Sequence, residues 1–122
     1  MRDILFRGKG INDKEWRYGF YTEQQGYPYI TPDGVAMYEI DANTAGQYTG
    51  FVDKNGKKIF EGDIVCMDDW IPPCMQVAYA QGTFYLAEIE KPVKYYGDIY
   101  YLNHGGNPCA KVIGNIYDDL SY

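Results

Sequence analysis

Three cysteines and one histidine, Cys66, Cys74, Cys109 and His104, are the residues of this chain best suited to hold a metal or attack a carbonyl. Thiolates and an imidazole can neutralise zinc in a tetrahedral shell, and structural zinc sites usually present them as close pairs. Here seven residues separate Cys66 from Cys74 and four separate His104 from Cys109. That spacing argues against zinc and for thiols acting as small apolar side chains. A cysteine nucleophile needs an imidazole beside its thiolate and a third group to orient the ring. His104, the only histidine, stands before Gly-Gly-Asn-Pro, the context of a solvated loop. An odd cysteine count, in a sequence whose first residues lack a secretory apolar segment, also argues against a disulfide scaffold.

The carboxylates give two further candidates. Asp53-x-Asn55 places oxygens at alternate positions, as a calcium loop begins, but Lys57 and Lys58 stand where further oxygen ligands would have to follow. Asp53-Lys54-Asn55-Gly56 is fully accounted for as a chain reversal. Glu61 and Asp63 could divide acid and base roles if their pKa values were driven apart. The bland account of Glu61-Gly62-Asp63 is stronger: Gly62 permits a bend and Asp63 bonds the amides beside it. No glycine-rich phosphate loop followed by lysine and serine or threonine is present. We therefore assign no catalytic, cofactor-binding or metal-binding residue, and expect a protein that is not an enzyme.

What would position such side chains is a series of short strands. Residues 4–6 open one, ended by Gly8 and Gly10; Asn12-Asp13-Lys14 turns the chain; residues 16–21 return, with Trp16, Tyr18 and Phe20 on one face. After a turn at residues 24–26, residues 27–31 extend again, and Pro28 points to an edge strand. Residues 32–34 turn, and residues 36–40, 48–52 and 57–60 are extended candidates, followed by Ile64 and Val65. Residues 68–73 read as a loop, and residues 75–79 and 83–87 as a hairpin about Gln81-Gly82. Residues 88–97 read as an exposed connection in which Val93, Tyr95 and Tyr96 can pair locally. Residues 99–102 read as a strand, 103–108 as a glycine-rich loop and 111–117 as the closing strand. No stretch carries the apolar stripe of a helix.

The fold class that follows is all-β and mainly antiparallel, in a chain of 122 residues that fits one domain. Two divisions suit it: one continuous domain over 1–122, or a β-rich part over 1–45 and a barrel part over 46–122. Fourteen tyrosines favour strands and supply aromatic faces. A net charge of −6 disfavours phosphate-backbone binding. No apolar run is long enough for a membrane helix, and we expect a cytoplasmic protein.

Four stretches, taken together, resemble the YopX protein family of phages and prophages. They are MRDILFRGK at residues 1–9, Glu15-Trp16 with Tyr18-Gly19, GQYTGFVDKNGKKIFEGDIV at residues 46–65, and VIGNIYD at residues 112–118. They follow the family's order; residues 66–111 match loosely, and Asp119-Leu120 stands where the family usually has Asn-Pro-Glu. The resemblance implies a β-rich fold whose C-terminal part is an SH3-type barrel, and brings no activity or site residue to carry over. We expect a binding or assembly module acting through protein-protein contacts, with self-association into a homo-oligomer as one form. The alternative is a nucleic-acid-associated barrel that stacks bases on Tyr95, Tyr96, Tyr100 and Tyr101.

Overall fold

Turn residues punctuate this chain, and between them the strands are short. The computed structural model describes residues 5–90, 94–104 and 107–118. It divides into two compact units, Met1–Tyr48 and Thr49–Tyr122. Ile4, Val93 and Asp119-Leu120, which carried expectations above, lie outside the described residues.

In the first unit, β1 (Phe6–Lys9), β2 (Trp16–Gln24), β3 (Tyr27–Thr31) and β4 (Tyr38–Glu39) precede a single 3-10 turn, η1 (Ala42–Thr44), and the start of β5 (Gly46–Val52). They pair antiparallel in the order β4-β3-β2-β1-β5. Tyr27, Tyr29 and Thr31 stand opposite Gln24, Thr22 and Phe20, the period-2 register of a hairpin. Ile30 and Ile40 are fully buried, each worth about 2 kcal/mol of burial. The Phe6 and Tyr21 rings stand 5.5 Å apart.

Two expectations are corrected here. Strand β1 runs through Gly8 to Lys9 rather than ending at the glycine. Strand β3 is internal, between β2 and β4, although it contains Pro28. The reason is that β4 is only two residues long: its ladder pairs Tyr29 and Ile30, then stops where Pro28 accepts from the Ile40 N–H (3.1 Å) and has no N–H to return.

In the second unit, the end of β5 reverses into β6 (Lys58–Phe60). Strands β7 (Asp63–Cys66), β8 (Cys74–Ala80), β9 (Thr83–Ala87) and β10 (Tyr95–Asp98) follow. A 3-10 turn η2 (Ile99–Leu102), a small hairpin β11 (Asn103–His104) and β12 (Asn107–Pro108), and β13 (Lys111–Asn115) complete the chain. The main sheet is antiparallel, in the order β10-β9-β8-β7-β13, with irregular register at Tyr95/Gly97 and Val112/Gly114. Among the described residues no ladder joins β10 to β13. Val65, Met75, Val77, Leu86 and Leu102 are fully buried and form the centre of its core.

Residues 99–102 are a 3-10 turn, not a strand. Asp98 caps it by accepting the Tyr100 N–H (3.3 Å), and buried Ile99 and Leu102 lie three apart, one turn of a 3-10 helix. The expectation of free thiols also fails at two positions, because Cys66 and Cys74 form a disulfide. They are direct partners across β7 and β8. The neighbouring pair is joined by the Met67 N–H to the Pro73 carbonyl (2.8 Å), which makes Cys66/Cys74 the non-hydrogen-bonded pair, where side chains stand closest.

Candidate functional site

The turn over residues 53–56 shows what its acidic side chains do. Asp53 is 2 % exposed. One carboxylate oxygen accepts the N–H groups of Asn55 (2.8 Å) and Lys57 (2.9 Å), and the other accepts that of Val112 (3.0 Å), on β13. Burial pushes its carboxyl up, but the donors from Val112, Lys57 and Asn55 outweigh that and hold it below the usual carboxylate range. Gly56, at φ +82°, supplies the left-handed residue the reversal needs. Asp63 accepts the Phe60 N–H (2.8 Å) across the next turn. Both aspartates accept N–H groups of the turns they bend, and Asp53 also accepts one from β13.

A concave site with chemistry to offer is built elsewhere in the second unit. Between β7 and β8 the chain makes a seven-residue loop, 67–73, closed at its base by the Cys66–Cys74 bridge. Buried Met67 and half-buried Cys109 form the floor of a cleft of about 380 Å³. Trp70 and Tyr101 are its walls, their ring centroids 5.3 Å apart and their planes at 66°. Exposed Asp68 and Asp69, with Asn103, complete the lining. The ring pair closes over Gly97: a Cβ there would stand 3.0 Å from Trp70 and 3.1 Å from Tyr101, a tight fit that the glycine avoids.

Cys109 is fixed within this cleft. Its backbone N–H donates to the Leu102 carbonyl (3.0 Å), and its thiol donates toward the carbonyls of Tyr101 (3.3 Å) and Leu102 (3.2 Å). Burial pushes the thiol's pKa up, and the negative charge of Asp69 pushes it further. A nucleophilic cysteine requires the opposite shift.

The other residues singled out in the sequence are dispersed. Cys66 and Cys74 are joined to each other, which removes them from any thiolate set. His104 pairs with Asn107 in the β11–β12 hairpin. Among the described residues no group of three or more His, Cys, Asp or Glu is placed to hold a metal ion. Tyr95 lies near Tyr85 (6.1 Å between centroids), Tyr96 packs on the core, Tyr100 meets Phe51 edge-on (5.6 Å) and Tyr101 meets Trp70. Only Tyr101 of the four lines the cleft. Trp70 and the Asp68-Asp69 pair were passed over as loop residues. A tryptophan inside a loop, with no strand to bury it, was the signal available for them.

No curated protein matches the chain at a significant level. The family model described as YopX protein matches residues 6–120, nearly its whole length. The chain belongs to the YopX protein family.

Proposed function

We propose that this protein is a non-catalytic binding module that acts through contacts with another protein, in the phage or prophage setting the family resemblance implies. The observation that carries the reading is the cleft at Trp70 and Tyr101, an aromatic recess with Asp68 and Asp69 in its lining and a cysteine whose pKa is displaced away from reactivity. Aromatic side chains in partly desolvated recesses are the usual anchors of protein recognition. The architecture we infer for the second unit is an SH3-type barrel, supported by its short antiparallel strands and the two irregular pairings at β10/β9 and β13/β7. The place of action we propose is the bacterial host cytoplasm, where the Cys66–Cys74 bridge would have to withstand reducing thiol pools.

Affinity capture from bacterial lysate, read by mass spectrometry, tests the reading. A protein partner recovered reproducibly above background is the expected result; recovery of nucleic acid alone, or of nothing above background, removes it. The competing reading, base stacking on an aromatic surface, draws on the exposure of Tyr95 (62 %), Tyr100 (71 %) and Tyr101 (57 %). Its mark is salt-dependent binding of single-stranded oligonucleotides, and the two carboxylates beside Tyr101 oppose it.

A further inference from the structure

The first unit shows how this chain uses arginine. Arg17 donates to the Asp13 carboxylate (Nη2 to Oδ2, 2.6 Å) while its guanidinium lies 4.2 Å from the centroid of the Tyr38 ring. Arg7 lies likewise 4.6 Å from the Trp16 ring. In these places a flat cation lies over an aromatic ring, and in the first it also donates to a carboxylate.

The cleft of the second unit holds the same partners without the cation. Trp70 and Tyr101 are its rings and Asp68 and Asp69 its carboxylates. Among the described residues no basic side chain lines it, none stands over either ring, and neither carboxylate is ion-paired. A volume of about 380 Å³ lies near the lower end of ligand clefts, suited to one side chain rather than an extended ligand.

We propose that this cleft receives an arginine side chain of a partner polypeptide, its guanidinium stacked on the Trp70–Tyr101 corner and hydrogen-bonded to Asp68 and Asp69. Arginine is favoured over lysine because its planar, weakly hydrated head both stacks and forks. The inference rests on the reading of the protein as a protein-binding module, and names the chemistry of the contact.

The test titrates the full chain with a short blocked peptide centred on arginine, following the indole N–H signals of both tryptophans by NMR. The expected result is a saturable shift at Trp70 with Trp16 unmoved, in the millimolar range of a single-residue contact. A lysine peptide binds more weakly, and a peptide with neutral citrulline in place of arginine gives no saturable shift. D68N/D69N, with fold checked by circular dichroism, weakens the arginine peptide at least about fivefold. Gly97→Ala, which alters no charge but crowds both rings, weakens it as well. No saturable shift, equal binding of the citrulline peptide, or undiminished binding by D68N/D69N overturns the proposal. Lysate capture separates the two levels: a partner held equally by wild type and D68N/D69N overturns the arginine cleft and leaves the binding-module reading standing. Failure of the wild type to capture any partner overturns that reading instead.

Discussion

Each unit contains a tryptophan in an electrostatically furnished setting, and the two settings differ in what completes them. Trp16 in the first unit is covered from within: the buried Arg7 lies over its ring and Lys9 stands 5.7 Å away. Trp70 in the second faces a second ring and a pair of acids, with no cation of its own chain over it among the described residues. The first arrangement serves folding, because all its members are already assembled. The second is assembled on one side only, the condition that the proposed arginine contact requires. The turn aspartates differ in the same way. Asp33, exposed, bonds the N–H groups of Val35 and Ala36 within its own loop, whereas buried Asp53 also grips Val112 on the far strand β13.

The comparison breaks most decisively at Asp53. Asp53→Ala leaves three buried or half-buried N–H groups without their charged acceptor and should cost the second unit about 3 kcal/mol, read as a fall in urea midpoint; Asp33→Ala should cost distinctly less. Because the Asp53 carboxyl sits below its unfolded value, its contribution is complete above about pH 4 and drains away as the pH falls through the lower folded value. Stability should therefore drop on acidification, and Asp53→Asn should flatten that part of the profile. Removing the bridge with C66S/C74S should cost about 2.5 kcal/mol, since it closes a short loop, and should broaden the amide signals of residues 67–73. Trp16→Leu should cost about 1–2 kcal/mol through lost packing against Arg7. At the small end, D68N/D69N should shift stability by no more than about 0.5 kcal/mol; a large loss would mean that the acids serve folding and would erase the contrast between the units.

Features made of neighbouring residues were legible in the sequence. The reversal at 53–56 follows from Asp53, Asn55 and Gly56, each acting within a few bonds of itself, and the 83–87 strand from alternation after Gln81-Gly82. Features that depend on pairing were not. Ile99-Tyr100-Tyr101-Leu102 has strand propensity, yet the Asp98 cap and the burial of Ile99 and Leu102 wind it into a 3-10 turn. Counting cysteines argued against a bridge, but what decides a bridge is register, which places Cys66 opposite Cys74. The cleft was illegible for the same reason: Trp70 and Tyr101 are distant in sequence and meet through the fold, packed closely over Gly97.

The bridge at the base of loop 67–73 has an engineering consequence. It holds Cα atoms 4.1 Å apart at the two ends of the loop, and Met67 and Trp70 pack on the core from within it, so the exposed positions 68, 69 and 71–73 sit on a fixed base. Rewriting those five positions while keeping Cys66, Met67, Trp70 and Cys74 should alter the proposed contact and leave the strands that carry it undisturbed. A library confined to those positions would show how far the loop can be rewritten with its base held fixed.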